Sequence, residues 1–146
     1  MIYRNRNTIL DEDTKEEIMN TITTEGVKIT VDTQFRNDLS EVNQNQFFFN
    51  YHVEITNNND YSVQLLHRDW YIFDSLNYPN KVSGEGVVGE QPILKPGQTF
   101  TYVSGCGLTS EIGLMKGYYT FKNLLNNDFF KVDIPTFQLE YRGKLN

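Results

Sequence analysis

Three glycines form the pattern G-x-G-x-x-G, which holds a pyrophosphate in dinucleotide-binding folds; they are Gly84, Gly86 and Gly89. In those folds the glycines join a strand to a helix, and the N-terminus of that helix receives the phosphates. Here Pro92 follows soon after the last glycine, and helix interiors do not accept proline. We therefore predict that the glycines allow positive φ and bulges between strands. The alternative is a loop of free backbone amides that binds a small anion.

Histidine and carboxylate side chains could form a metal site with open coordination positions. His67 and Asp69 lie two residues apart in a predicted strand, so their side chains share a face, and His52 lies in the preceding predicted strand. The chain has 2 histidines, too few for a metal-ligand spacing signature. We predict no metal site, and these three residues are the candidates if one exists.

Cys106 is the single cysteine of the chain, and no histidine or other base is encoded beside it. A catalytic thiol needs a lowered pKa and an orienting group, so we predict a half-buried structural residue. The sequence contains no G-x-S-x-G, P-loop or H-E-x-x-H motif. These observations favour a protein without catalytic activity or a cofactor. A single cysteine also excludes an internal disulfide and fits a reducing compartment.

Arg68 and Trp70 are two residues apart in the same predicted strand and therefore share a face. One interpretation is a cation–π or carboxylate-binding site exposed on a sheet. The interpretation that we favour is a structural core, in which Trp70 is the central side chain. Arg68 would then be satisfied by a buried carboxylate or by carbonyl groups at the ends of strands.

Strands must position these residues, because apolar and polar residues alternate with period two from residue 27 onward. Predicted strands cover residues 27–35, 47–56, 61–74, 99–104, 118–121, 129–134 and 137–141. Turns are predicted at 57–60, at 126–128, and at Pro96 and Gly97, whose order fits a type II turn. Residues 105–117 are predicted to form a loop, and Pro135 to lie at an edge or a break. Short strands separated by turn signals are typical of a β-sandwich or barrel.

The predicted strand 61–74 carries apolar residues on both faces, which is typical of a central strand or of one whose second face is an interface. One predicted face holds Leu66, Trp70 and Ile72. The other face is the candidate interaction surface and holds Val63, Leu65, Tyr71 and Phe73.

The first 26 residues form an acidic leader with one helical signal, a capping box at residues 14–17. We predict a frayed tail or a short helix there; the alternative is a docking segment. Residues 27–141 form the predicted domain and 142–146 a C-terminal tail. The 13 basic and 19 acidic residues give a net charge of −6, which argues against nucleic-acid binding. No apolar run reaches the ~20 residues of a membrane helix, so we expect a cytoplasmic protein.

Six segments occur in the order found in the ApaG family, and together they give a specific resemblance over residues 27–140. They are residues 63–70, 84–90, 94–97, 102–105, 113–119 and 134–139. The resemblance implies an immunoglobulin-like or fibronectin-III-like antiparallel β-sandwich of about seven or eight strands from the bacterial cytoplasm. It also implies a link to cobalt and magnesium sensitivity, and partner binding by related eukaryotic domains. In the family the G-x-G-x-x-G segment has been discussed as a pyrophosphate loop.

We therefore expect a non-enzymatic binding module whose partner is an unidentified protein or a second copy of the chain. Its candidate surface is the face with Val63, Leu65, Tyr71 and Phe73. The alternative function is the binding or hydrolysis of pyrophosphate or a nucleotide polyphosphate at residues 84–89. We expect neither nucleic acid nor a membrane as a partner.

Overall fold

The computed structural model describes residues 20–143, which form nine β-strands. In chain order they are β1 (Thr21–Thr24), β2 (Val27–Phe35), β3 (Phe47–Asn57), β4 (Val63–Asp74), β5 (Asn80–Glu85), β6 (Ile93–Leu94), β7 (Thr99–Leu108), β8 (Ile112–Asn123) and β9 (Phe129–Glu140). Two 3-10 helical turns, Asn37–Leu39 and Val42–Gln44, lie between β2 and β3. In this part of the chain no helix is long and apolar enough to cross a membrane.

The strands form two antiparallel sheets that pack face to face, as the predicted all-β sandwich requires. One sheet has the order β1-β2-β3-β7, and the other has the order β5-β4-β8-β9 with β6 also paired to β4. Consecutive strands β3 and β4 therefore belong to different sheets. The structure has nine strands and not the expected seven or eight. Periodicity did not predict β1, β5 or the two-residue β6, and the predicted strands 129–134 and 137–141 form one strand, β9.

Aromatic side chains from both sheets fill the centre of the sandwich around Trp70, which is 2% exposed. Its ring meets those of Tyr51, Tyr119 and Phe137 at centroid distances of 5.3, 6.4 and 5.9 Å, each edge to face. Such edge-to-face contacts are the favoured geometry of aromatic pairs. Trp70 thus occupies the central core position that its place in the sequence suggested.

A bulge in β4 corrects the predicted assignment of its two faces. The register against β8 shifts between Leu65 and His67, so that Leu66 has no partner there. Because one extra residue exchanges the two sides of a strand, the alternation before the bulge is out of phase with the alternation after it. Val63 and Leu65 are fully buried, whereas Tyr71 and Phe73 lie on the outer face. The prediction that all four share an interaction face is therefore wrong.

The sandwich begins before the predicted boundary at Val27. Residues 21–24 form β1, which pairs with β2 through the two-residue turn of Glu25 and Gly26, with φ of 47° and 79°. Positive φ at both central residues is the requirement of a type I′ hairpin turn. This part of the leader is a strand, and the predicted capping box lies outside the described residues.

The predicted loop at 105–117 is also a correction, because β7 continues to Leu108 and β8 begins at Ile112. Glycines at alternating positions lowered the apparent strand propensity of this stretch. Pro135 lies in β9, the edge strand of its sheet, where Pro135 and Thr136 together oppose Lys116 across a register shift. The type II turn at Pro96 and Gly97 is present, with φ of +82° at Gly97.

Candidate functional site

The glycine-rich segment forms a closed loop between β5 and β6, and three of its amides donate hydrogen bonds within the protein. The N–H of Gly86 donates to the carbonyl of Leu66 at 2.8 Å, and those of Val87 and Glu90 donate to each other's carbonyls at 2.8 and 2.9 Å. No helix follows Gly89 in the described chain; Ile93 and Leu94 pair with β4 instead. The loop therefore lacks the helix end that a pyrophosphate cradle uses, and three of its amides are already bonded.

The carbonyls of this loop hold the guanidinium of Arg68. Nη1 of Arg68 donates to the carbonyl oxygens of Glu85 and Gly86, both at 2.9 Å. A Cβ atom at Gly84 would lie 2.9 Å from both Nη1 and Nη2. A side chain at Gly84 would thus displace the guanidinium, which packs on the backbone of β5. Of the two structural partners considered for Arg68, carbonyls at the end of a strand are the ones present.

A cleft of about 270 Å³ opens beside Arg68, between the edge strand β7 of one sheet and the β5 edge of the other. We call it the Arg68 cleft, and the residues that line it are Tyr51, Arg68, Trp70, Glu85, Val87, Val88, Gly89, Tyr102 and Ser104. The hydroxyl of Tyr102 lies 2.5 Å from that of Tyr119 on the opposite sheet. Burial raises the pKa of Tyr51, Tyr102 and Tyr119, and the positive charge of Arg68 acts in the opposite direction on all three. The phenols are therefore protonated at neutral pH.

A second feature lies on the outer face of the sheet formed by β5, β4, β8 and β9, where lysines cover aromatic rings. The Nζ atoms of Lys81, Lys116 and Lys131 lie 5.5, 5.8 and 4.4 Å from the ring centroids of Tyr71, Phe73 and Tyr118, respectively. These are cation–π distances. Leu114, 41% exposed, pairs with Phe73 and completes the surface. We call this set of seven residues the lysine–aromatic face.

A cleft of about 310 Å³ borders the lysine–aromatic face where β9 bulges. Tyr71, Lys116, Tyr118, Pro135 and Ile22 of β1 line it. Because Ile22 comes from the other sheet, this cleft lies at the seam where β1 and β9 meet. Asp133 on β9 also lines it, so the cleft carries both charges.

His67 and Asp69 lie side by side on the same outer face, as their spacing predicted. Nδ1 of His67 is 3.3 Å from Oδ2 of Asp69, whose Oδ1 accepts a hydrogen bond from Ser83 at 2.5 Å. The Ser83 hydrogen bond lowers the pKa of Asp69, against the opposing effect of burial. The carboxylate thus has partners in the protein already, and a metal ion would compete with them.

His52 cannot join the pair His67 and Asp69, which corrects the three-residue metal hypothesis. It lies on β3 opposite Asp32 and Val103, on the outer face of the other sheet. The core of the sandwich therefore separates the two histidines. Among residues 20–143 there is no group of three or more histidine, cysteine, aspartate or glutamate residues that could hold a metal ion.

Cys106 lies on the inner side of β7 and is buried. Burial, with a smaller contribution from the charge of Asp74, raises the pKa of its thiol to about 11. The thiol is consequently protonated at neutral pH and is a poor nucleophile.

The sequence did not indicate that Tyr51, Tyr102 and Ser104 line a cleft with Arg68, nor that three lysines cover the aromatic rings. Period two places Tyr51, Tyr102 and Ser104 on the inner side of their strands. Which residues face one another across two sheets depends on the pairing of distant strands, which periodicity does not encode.

The sequence and the fold can be compared with those of known proteins. The protein-family model described as the ApaG domain matches residues 37–123 of this chain. The chain is 43% identical over 117 residues to Protein ApaG of Methylorubrum extorquens, covering 80% of this chain and 89% of that protein. It is 44% identical over 117 residues to Protein ApaG of Beijerinckia indica, with the same coverage. The crystal structure of an ApaA protein from Bordetella pertussis superposes with a TM-score of 0.77 at 37% identity, covering 81% of this chain and 95% of that one.

Proposed function

The chain belongs to the ApaG family, and from that premise we propose that it is a non-catalytic binding module whose partner is an acidic segment of another protein. The partner docks on the lysine–aromatic face. The observation that carries the proposal is the set of three aromatic rings on an outer sheet face, each covered by a lysine ammonium group.

Charge and apolar area together support an acidic partner. The chain as a whole has a net charge of −6, yet this face presents Lys81, Lys116 and Lys131. Aromatic side chains beneath them offer large rigid contact areas of the kind enriched at interfaces. An acidic segment pairs with the lysines and covers the rings, so both properties of the face are used.

A second copy of the chain is a poorer partner for this face. A two-fold dimer buries the same patch on both subunits, which would bring the lysines of one copy close to those of the other. Like charges across an interface are unfavourable, and the negative net charge of both chains adds to the repulsion. We therefore assign the face to a different protein.

Two observations support a function without catalysis. The thiol of Cys106 has a raised pKa of about 11, and burial also raises the pKa of the phenols of Tyr51, Tyr102 and Tyr119. General acids and bases instead need pKa values near the working pH. The alternative of pyrophosphate or nucleotide-polyphosphate chemistry at residues 84–89 has less support, because the amides of Gly86, Val87 and Glu90 are already bonded.

The test is capture of proteins from a lysate of the encoding organism on the immobilised full chain, followed by calorimetric titration with the purified captured protein. We expect Lys116→Glu combined with Lys131→Glu to weaken binding at least tenfold, because it reverses the charge of the face. Wild-type binding should also weaken as salt is raised.

The matched control is Lys28→Glu combined with Lys95→Glu, which changes the net charge by the same amount as the test variant. Lys28 is on β2 and Lys95 is in the turn before β7, away from the lysine–aromatic face. The control variant should bind like the wild type. Equal binding by all three proteins, or a captured protein without an acidic segment, would contradict the proposal. Thermal stabilisation by pyrophosphate or diadenosine tetraphosphate that Gly86→Glu abolishes would favour the alternative function.

A further inference from the structure

We propose that the Arg68 cleft is a binding site for a carboxylate group carried on a small apolar or aromatic body. The site is separate from the lysine–aromatic face. It opens at the edge of the sandwich between β5 and β7, whereas that face is the outer surface of the sheet formed by β5, β4, β8 and β9.

The first argument is that Arg68 is a half-buried cation without an acidic partner in residues 20–143. No carboxylate of this part of the chain comes within 4.0 Å of its guanidinium. Arginine in a partly buried position is normally paired with an anion, because an unpaired charge loses solvation without compensation. The carbonyls of Glu85 and Gly86 accept its hydrogen bonds, but they bring no negative charge.

The second argument concerns which nitrogens of the Arg68 guanidinium donate hydrogen bonds to the protein. Two carbonyl contacts at 2.9 Å occupy both hydrogens of Nη1. The guanidinium has five N–H donors, so those of Nε and Nη2 are left. Nε and Nη2 together form one edge of the guanidinium, which binds the two oxygens of a carboxylate in parallel. The protein thus fixes one side of the group and leaves a bidentate edge.

The third argument is the character of the walls. Trp70 and Val87 are buried and form the apolar base of the cleft. Glu85 also lines the cleft, but its carboxylate lies more than 4.0 Å from the guanidinium. Tyr51, Tyr102 and Ser104 add aromatic surface and hydroxyl groups. A single guanidinium balances a carboxylate, which carries one charge, but leaves a phosphate dianion partly uncompensated. The cleft of about 270 Å³ has room for a small ring or side chain next to the carboxylate.

The test uses the side-chain indole N–H of Trp70, which gives one nuclear magnetic resonance signal because the chain has a single tryptophan. The full chain, labelled with nitrogen-15, is titrated with sodium benzoate, sodium acetate, inorganic phosphate and pyrophosphate at constant ionic strength. We expect benzoate to shift the Trp70 signal saturably and to bind more tightly than either phosphate compound. A hydrophobic dipeptide with a free carboxyl terminus and its amide then distinguish a peptide terminus from a small organic acid as the source of the carboxylate.

Two variants locate the binding. Arg68→Lys keeps the charge but removes the bidentate edge, and should weaken benzoate binding at least tenfold. Ser104→Asp places a carboxylate in the cleft beside Arg68, so this variant should fold and show no benzoate-dependent shift. It keeps the test decisive where Arg68→Lys fails to fold.

Three results would overturn the proposal: no saturable shift with benzoate, tighter binding of phosphate or pyrophosphate, or full benzoate affinity in Ser104→Asp. Lys116→Glu combined with Lys131→Glu should leave benzoate binding unchanged. Because these substitutions affect only the outer face, failure of either proposal leaves the other intact.

Discussion

At the scale of single residues, the G-x-G-x-x-G pattern has a structural explanation. Gly84 makes room for the guanidinium of Arg68, and Gly86 lies so close to the backbone of Glu90 that a Cβ atom would be 2.1 Å from its carbonyl oxygen. Gly89 has a φ of +81°, but a Cβ atom there would meet nothing within 4 Å. The three glycines therefore serve different purposes that the shared pattern conceals.

This difference predicts a graded series of alanine substitutions. We expect Gly89→Ala to reduce the free energy of unfolding by about 1 kcal/mol, the cost of a left-handed backbone conformation. Gly84→Ala should cost about 1–3 kcal/mol because Arg68 must shift, and Gly86→Ala about 2–4 kcal/mol because strain and a backbone clash combine. Urea unfolding monitored by tryptophan fluorescence measures all three. If Gly84→Ala costs no more than Gly89→Ala, the guanidinium does not pack on β5.

At the scale of secondary structure elements, β1 joins the two sheets. It pairs with β2 through four residues, and the hydroxyl of Thr24 accepts a hydrogen bond from the N–H of Asp133 on β9 at 3.2 Å. Ile22 also lines the cleft at this seam. The strand thus stabilises the sandwich, although its residues belong to the segment that the sequence indicated as a leader.

We predict that a chain beginning at Val27 is less stable than one beginning at Asn20. The shorter chain lacks β1 and leaves the edge of β2 without its partner, so its melting temperature should be lower by roughly 5–10 °C. Calorimetry of the two chains isolates the contribution of β1, because both lack residues 1–19. Equal melting temperatures would mean that β1 contributes no stability.

Sequence reasoning identified the strands and turns whose signals are local. Alternation located β2 and β3, and the order of Pro96 and Gly97 located a type II turn. It divided β9 into two predicted strands at Pro135. It missed the bulge at Leu66, because the bulge depends on pairing with β8. It likewise could not place His52 and His67 on opposite faces, since that depends on which sheet each strand joins. A local signal for β1 was present in Glu25 and Gly26, a two-residue hairpin turn.

At the scale of the whole molecule, the core contains several side chains that ionise only at alkaline pH, namely tyrosines and a cysteine. Tyr51, Tyr102, Tyr119 and Cys106 are each 8% exposed or less, and burial raises the pKa of each. In the unfolded chain a cysteine ionises near ~8.5 and a tyrosine near ~10. At alkaline pH the unfolded state therefore binds fewer protons than the folded state, and the free energy of unfolding must fall as pH rises.

We predict that the buried tyrosines and Cys106 leave the free energy of unfolding constant from pH 7 to 8. They should reduce it above about pH 9, and more steeply above about pH 10. Tyr102→Phe combined with Tyr119→Phe should flatten the steep part, since both hydroxyls of one hydrogen bond are removed together. Tyr78→Phe is the matched control, because Tyr78 is 89% exposed. Urea unfolding at pH 7, 9, 10 and 11 measures the slopes; an unchanged slope in the double variant would contradict this explanation.

Pro135 affects how the molecule can associate. It lies in β9, the last strand of its sheet, where it offers no N–H group and the backbone bulges. The hydroxyl of Thr24 on β1 also accepts a hydrogen bond from the N–H of Asp133, so a foreign strand aligned alongside β9 would find no continuous ladder of main-chain bonds, and an intermolecular sheet stops there. A partner that binds near β9 must then be recognised through side chains. Substituting a few surface residues there would change which partner binds, without changing the fold.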